Sequence, residues 1–263
     1  MSGEFQITAS DGTLLSGEWH GPEGAPVLIF SNSLGTTRDM WRDQAASFAD
    51  TFRVLLYDTR GHGQSGNPIG SYSMSRLSLD VLEIMDGLDI QTAHFCGLSL
   101  GGMTGQLLAV RAPERFRSFT LAATSAYMGP PSGWQTRIDT VMANGTAAIV
   151  EGALGVWFAS EGAASTNVIE ETRDNFLQID AQGYCGCCAA IRDMDMRGSA
   201  RVNNTPTLIV GGEHDQATPP EHSQFLHEQM QGSTLAMLAG AHLINLEQPA
   251  AFNTLLSDFL RSS

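Results

Sequence analysis

The sequence predicts an α/β fold in which a mostly parallel sheet of eight strands is flanked by helices, with a helical cap inserted after the sixth strand. Short apolar runs with strand character alternate with segments whose apolar residues recur at helical spacing. This alternation is typical of a parallel sheet that is covered on both faces. The length of 263 residues and the apolar content of 42% suit one large domain with a sizeable core.

The first half of the chain supplies five of the predicted strands. Residues 5–9 and 13–19 are expected to form a hairpin around Asp11-Gly12, since Asp-Gly favours a tight turn between strands. The next predicted elements, in order, are a strand at 26–30, a helix at 38–48, a strand at 53–57, a helix at 74–88 and a strand at 93–96. Residues 58–65 form a glycine-rich turn, which we predict to be structural support behind the functional site.

The alternation stops between about residues 127 and 196. Gly129-Pro130-Pro131 opens this stretch, and the patterns after it are mostly helical. An insertion at this point would lie above the carboxyl ends of the strands, where it can exclude water and shape a pocket. The sequence therefore predicts a first core part at residues 1–126, a helical cap at 127–196 and a second core part at 197–263.

Gly97-Leu98-Ser99-Leu100-Gly101 lies where the buried strand at 93–96 passes into a helix. A serine between two glycines at such a corner is the pattern of the nucleophile elbow in α/β-hydrolases. The turn is strained, so its neighbours must be small, and the helix N-terminus directs N–H groups toward the reacting oxygen. Ser99 is the predicted nucleophile.

An acid and a base should follow the nucleophile, each in a loop after a late strand. The strand at 207–210 leads into a loop that contains Glu213 and Asp215, and the strand at 233–238 leads to His242. Asp215 is favoured as the acid that orients His242, with Glu213 as its rival. None of the other six histidines has the required position. The predicted triad is Ser99, Asp215 and His242, in which His242 accepts the serine proton.

Two backbone N–H groups should stabilise the oxyanion of such a reaction. One is the N–H of Leu100, directly after the nucleophile. The other is the N–H of Leu34, in the loop that follows the strand at 26–30. The alternative for that loop is an ordinary strand-to-helix turn.

Charge narrows the class of partner. The formal net charge is −14, which argues against nucleic acid or an anionic membrane as a partner. All 14 basic residues are arginine, so a phosphate-binding lysine, a Schiff-base lysine and a Ser-Lys dyad are excluded. The N-terminal residues lack a signal-peptide pattern and no stretch approaches transmembrane length, so we expect a cytoplasmic enzyme.

Four cysteines could suggest a metal site. Cys185, Cys187 and Cys188 are close in sequence, but Cys96 lies in a predicted core strand far from them. Zinc requires ligands that converge, and adjacent cysteines point in different directions. We predict reduced, partly buried thiols and no metal site.

Several segments of the core and the cap together match one family of hydrolases. They are residues 31–36, 57–63, 94–99, 187–195 and 241–249, together with Gly129-Pro130-Pro131, Trp134 and Arg137. On these segments, nearly the whole chain resembles the 3-oxoadipate enol-lactone hydrolases. Leu100 stands where that family usually has Met, a difference that leaves the backbone donor in place.

The resemblance implies that a serine opens an anionic enol lactone without a cofactor, in the degradation of aromatic compounds from protocatechuate or catechol to 3-oxoadipate. Because the implied substrate carries a carboxylate and the chain has no lysine, an arginine or a backbone dipole should bind it. Trp134, Arg137 and Arg192 are the predicted substrate-binding residues. The alternatives are simple burial for Trp134, an ion pair with Asp139 or a neighbour for Arg137, and one with Asp193 or Asp195 for Arg192.

Other activities remain open from the sequence. A general carboxylesterase or perhydrolase shares the core motifs, and so does a C–C bond hydrolase. A ligand receptor of the same fold could keep the triad and act by conformational change.

Overall fold

The computed structural model describes residues 3–159 and 164–262. Eight strands form one sheet in the spatial order β1-β2-β4-β3-β5-β6-β7-β8. Strands β1 and β2 pair antiparallel, β2 and β4 pair antiparallel, and every later pair is parallel. The strands are β1 Gly3–Thr8, β2 Leu14–His20, β3 Val27–Ser31, β4 Arg53–Tyr57, β5 Ala93–Leu98, β6 Phe116–Ala122, β7 Thr207–Gly212 and β8 Thr234–Leu238.

Helices pack against this sheet and against one another. Helix α3 contacts β5 and β6, α8 contacts β7 and β8, and α10 contacts β8. The helices in the described ranges are α1 Arg42–Phe48, α2 Met74–Gly87, α3 Leu100–Arg111, α4 Pro131–Asn144, α5 Val150–Trp157, α6 Thr166–Leu177, α7 Ala181–Arg192, α8 Pro220–Gln229, α9 Ile244–Glu247 and α10 Pro249–Ser262.

Local chemistry accounts for the helix starts. Proline occupies the first position of α4, α8 and α10, where its fixed φ fits and its missing N–H is not needed. The Ser73 side chain accepts from the N–H of Arg76 at 3.1 Å and caps α2. Asp180 caps α7 by accepting from the N–H groups of Gln182 and Gly183.

The central strand β5 is buried along its whole length, as expected for a strand covered on both faces. It pairs with β3 and β6, so that its carboxyl end lies beside the carboxyl ends of both. The loops that follow these strands therefore converge at one edge of the sheet.

These elements confirm the predicted sheet, the hairpin and the helical insertion after the sixth strand. Helices α4, α5, α6 and α7 lie between β6 and β7, and we call them the cap helices. The predicted cap segment also includes residues 160–163, which lie outside the described residues. One boundary differs slightly: β3 begins at Val27 rather than Pro26, because proline has no N–H for the strand ladder.

Two further observations concern the described ranges. No helix there is both long and apolar enough to cross a membrane. Cys96, Cys185, Cys187 and Cys188 are all free and buried. Burial raises the pKa of the Cys96 and Cys187 thiols, which keeps both protonated.

Candidate active site

Ser99 lies at the junction of β5 and α3 in a strained backbone conformation. Its φ of 56° and ψ of −111° are unusual for a residue with a side chain. The neighbouring chain enforces this corner, because the N–H of Ser99 donates to the Ala122 carbonyl at 2.9 Å. The Ser99 carbonyl accepts from the Thr124 hydroxyl at 2.8 Å. The geometry is that of the predicted nucleophile elbow.

Gly101 shows why the elbow needs small residues. A Cβ atom at this position would lie 2.2 Å from the Ser31 carbonyl oxygen, so any side chain would push β3 and α3 apart. The N–H of Gly101 donates to the Asn32 carbonyl at 2.9 Å. This contact ties the start of α3 to the loop after β3.

Asp215 and His242 form a buried pair, although 27 positions separate them in the chain. Nδ1 of His242 lies 2.9 Å from Oδ2 of Asp215, and both side chains are almost fully buried. Glu213, the rival acid, is exposed. The structure thus brings Asp215, and not Glu213, to the imidazole.

The Asp215 carboxylate is well supplied with hydrogen bonds. Oδ1 accepts from the N–H groups of Ala217 at 2.8 Å and Thr218 at 2.9 Å, and Oδ2 also accepts from the Thr218 hydroxyl at 2.7 Å. Burial opposes ionisation, but the attraction and hydrogen bond of His242, with those of Thr218, outweigh it. The pKa of Asp215 is therefore held below its ordinary value. An ionised Asp215 can orient His242 and stabilise its protonated form.

The loop that carries His242 is anchored by a residue that sequence reasoning did not single out for this role. The buried carboxylate of Glu247 accepts from the N–H of Ala241 through Oε2 and from the N–H of Ala159 at 2.7 Å through Oε1. The N–H of Leu243 donates to the Trp157 carbonyl at 3.1 Å. These contacts join the histidine loop to the end of α5 in the cap.

The predicted oxyanion donors are close in the chain to the contact between Gly101 and Asn32: Leu100 directly precedes Gly101, and Leu34 follows Asn32 by two positions. Leu34 and Leu100 are both buried. Within residues 3–159 and 164–262, neither of their N–H groups donates a hydrogen bond to the protein. Buried N–H groups are nearly always paired, so two unpaired donors beside the elbow suit a ligand oxygen.

A cavity of about 330 Å³ opens between α4, α5 and the loop that carries Asp215. Its walls are mostly apolar, and Arg137 is the one charged residue among those that line it. The lining residues include Met128, Pro130, Trp134, Val156, Trp157 and Ala217. Such a cavity fits a small, largely apolar molecule that carries one negative group.

Arg137 is held without an acidic partner. Its Nη1 donates to the Tyr184 hydroxyl at 3.0 Å, and its guanidinium carbon lies 5.7 Å from the centre of the Trp134 ring. The Trp134 N–H is already used, because it donates to the Met128 carbonyl at 2.8 Å. Among the residues that the structure describes, no carboxylate lies within ion-pair distance of Arg137, so its charge is available to a ligand.

Arg192 has different surroundings. Its Nη2 lies 2.7 Å from Oδ2 of Asp193, and its Nη1 donates to the Gln135 side chain at 2.6 Å. It does not line the cavity. The structure therefore brings Trp134 and Arg137 together and leaves Arg192 in a surface ion pair.

The elbow, the buried Asp-His pair and the eight-stranded sheet define the class of α/β-hydrolases. A family model described as alpha/beta hydrolase fold matches residues 26–146, and one described as TAP-like protein matches residues 178–263. The chain is 40% identical to 3-oxoadipate enol-lactonase 2 of Acinetobacter baylyi, over 94% of this chain and 92% of that protein. It is 38% identical to 3-oxoadipate enol-lactonase 1 of the same organism, over 98% and 97% of the two chains.

A solved structure agrees with these relatives. The enol-lactonase from Burkholderia xenovorans superposes with a TM-score of 0.94 at 37% identity, covering 98% of this chain and 100% of that one. The chain therefore belongs to the family of 3-oxoadipate enol-lactonases within the α/β-hydrolases. It is a hydrolase, as the sequence predicts.

Proposed function

We propose that the chain opens the ring of 3-oxoadipate enol-lactone to 3-oxoadipate through an acyl-enzyme on Ser99, in protocatechuate or catechol degradation. The observation that carries this proposal is the 2.9 Å contact between His242 Nδ1 and Asp215 Oδ2, at the sheet edge where the elbow serine also lies. The chain that holds this contact is 40% identical to a 3-oxoadipate enol-lactonase. That contact leaves Nε2 of the imidazole free to act as the base.

The first half of the reaction forms the acyl-enzyme. Nε2 of His242 accepts the proton of the Ser99 hydroxyl as Oγ attacks the lactone carbonyl. The N–H groups of Leu34 and Leu100 stabilise the negative oxygen of the tetrahedral intermediate. When the ring C–O bond breaks, the protonated His242 returns the proton to the enol oxygen, and the enol tautomerises to the ketone.

The second half releases the product. His242 removes a proton from a water molecule, whose oxygen attacks the acyl carbon. The second intermediate then collapses with the proton returning to Oγ of Ser99. The product carries one more carboxylate than the lactone. The triad supplies both proton transfers, so these steps require no cofactor.

Substrate selection is assigned to the cavity below the cap helices. The net charge of −14 repels an anionic lactone at long range, so a local positive group is needed. Arg137 can bind a carboxylate through two parallel hydrogen bonds while Trp134 packs against the apolar part of the substrate. Arg192 is a weaker candidate because Asp193 already neutralises it.

We also propose that residues 1–126 and 197–263 form the core and that residues 127–196 form the cap. It describes a cytoplasmic enzyme whose partner is a small anionic lactone and not nucleic acid or a membrane. The net charge supports this choice of partner.

Steady-state kinetics tests the proposal. The wild-type protein is compared on enol lactone generated from muconolactone and on p-nitrophenyl acetate, with Ser99→Ala as the blank. We expect kcat/KM for the lactone to exceed that for the ester by about 100-fold or more, because only the lactone engages Arg137. Equal values would indicate a general esterase, and slow turnover of both would indicate a binding protein.

A further inference from the structure

The loop that carries the Leu34 N–H is a tight turn. The N–H of Thr36 donates to the Ser33 carbonyl at 3.3 Å, and Gly35 has a φ of +81°. A Cβ on Gly35 would lie 2.4 Å from the Phe176 ring, so the turn is seated directly against the cap. A turn of this kind can flip its central peptide, the one between Leu34 and Gly35, unless something holds it.

His62 holds that central peptide. The N–H of Gly35 donates to Nε2 of His62 at 3.0 Å, across 27 positions in the chain. Nδ1 of His62 lies 3.3 Å from the Arg60 carbonyl, which can only accept. Nδ1 therefore carries the proton, and Nε2 offers a lone pair to Gly35.

The surroundings of His62 favour this neutral tautomer and this position of its ring. His62 is almost completely buried, and burial lowers its pKa to about 4, which keeps the ring neutral. The Tyr184 ring on α7 lies 6.5 Å from the His62 ring, centre to centre. The Tyr184 hydroxyl is the group that accepts from Arg137. His62 is thus fixed between the cap and the turn.

We propose that His62 is a positioning residue for the oxyanion site. By accepting the N–H of Gly35 through Nε2, it holds the Leu34–Gly35 peptide, while the N–H of Thr36 holds the Ser33 carbonyl of the preceding peptide. These two hydrogen bonds together fix the turn that carries the Leu34 N–H and so aim this N–H at the oxyanion. This inference rests on the proposed acyl transfer by Ser99 but not on the identity of the lactone. Within the described ranges, His62 has no hydrogen bond to the triad, and it does not line the cavity below the cap helices.

Two isosteric replacements separate this role from simple packing. Gln at position 62 places a side-chain oxygen near the position of Nε2 and can still accept from Gly35. Asn at position 62 reaches only to the position of Nδ1 and loses that acceptor. His94→Gln is the matched control, because His94 is a second buried histidine, bonded to Ser118 Oγ at 2.7 Å near the opposite end of β5.

The measurements are the acylation burst with p-nitrophenyl acetate, the substrate dissociation constant Ks from the concentration dependence of the burst rate, and the Kd of a trifluoromethyl ketone that forms an oxyanion on Ser99. Removing a whole oxyanion donor costs about 10² to 10³ in rate, so a misaimed donor should cost roughly 30-fold. We expect His62→Asn to lose about this factor in acylation rate and in ketone affinity, with Ks unchanged. His62→Gln and His94→Gln should stay within about threefold of the wild type.

Equal losses in the Asn and Gln variants would overturn the proposal, since packing alone would then explain them. An increase in Ks as large as the loss in acylation rate would also overturn it, since the defect would then lie in substrate binding. If His62→Asn does not fold, His62→Gln decides: a loss of ketone affinity above about tenfold in that folded variant contradicts the role. Failure of the wild type on the lactone with a normal ester burst would refute only the proposed substrate.

Discussion

The sheet edge and the cap differ in how many hydrogen-bond and ion-pair partners their charged side chains have. At the edge, the Asp215 carboxylate accepts four hydrogen bonds from protein groups, and the N–H of Gly101 donates to the loop after β3. In the cap cavity, the walls are mostly apolar and the Arg137 guanidinium has no acidic partner within the described ranges. The edge is organised to move protons and charge, whereas the cavity is organised to select a ligand. Substitutions in the two regions should therefore produce different kinetic signatures.

Loss of the nucleophile or base should give the largest effect. Ser99→Ala and His242→Ala are each expected to lower kcat by roughly 10⁴ or more, with the double variant little worse than either. Single-turnover and steady-state kinetics measure this. Retained activity in Ser99→Ala would show that Ser99 is not the nucleophile and that the reaction takes place elsewhere than at this sheet edge.

The orienting acid should come next. Asp215→Asn keeps the shape of the side chain, but its amide can donate to Nδ1 of His242 and so favours the imidazole tautomer with the proton on Nε2. In that tautomer Nε2 cannot accept the serine proton, so kcat should fall by roughly 10³ to 10⁴. Glu213→Gln, two positions away and exposed, is the matched control and should change little. The opposite ranking in kcat would transfer the role to Glu213.

In the cap, the effect should depend on substrate charge. Arg137→Lys is expected to lower kcat/KM for the anionic lactone by about tenfold or more, because lysine cannot form the two-point contact. A neutral ester should be almost unaffected. Arg192→Lys, whose side chain already pairs with Asp193, should change neither substrate by more than about twofold. Equal losses on both substrates for Arg137→Lys would make its role structural.

The smallest expected effect concerns stability at low pH, far from either region's chemistry. Burial lowers the pKa of His94 to about 4, from an ordinary value near 6.5. The unfolded chain therefore takes up a proton between pH 6.5 and 4 that the folded chain does not. The contribution of neutral, buried His94 to the free energy of unfolding is fully present above about pH 6.5. It is lost progressively as the pH falls toward 4.

Urea unfolding at pH 7 and pH 4 measures this loss. His94→Gln should reduce the difference between the two free energies of unfolding by about 3 kcal/mol. The exposed His227 on α8 provides the control variant His227→Gln. An unchanged pH dependence in His94→Gln would mean that the pKa of His94 is the same in the folded and the unfolded protein.

Much of the catalytic edge could be predicted from the sequence because its requirements are local. A serine at a strand-to-helix corner needs small neighbours, and Gly101 sits where a Cβ would meet Ser31. Chain order and loop position then indicate the acid and the base. The helical insertion was visible because the alternation of strand and helix patterns stops there.

Tertiary structure alone decided which partners meet. Asp215 and Glu213 lie in one loop, yet only Asp215 turns inward to His242. Arg137 and Arg192 are equally plausible in a sequence, but one lines the cavity and the other pairs with its own neighbour. The contact between His62 and Gly35 left no sequence signal beyond a glycine-rich turn. Local patterns encode backbone conformation, whereas the pairing of distant side chains depends on how the whole chain packs.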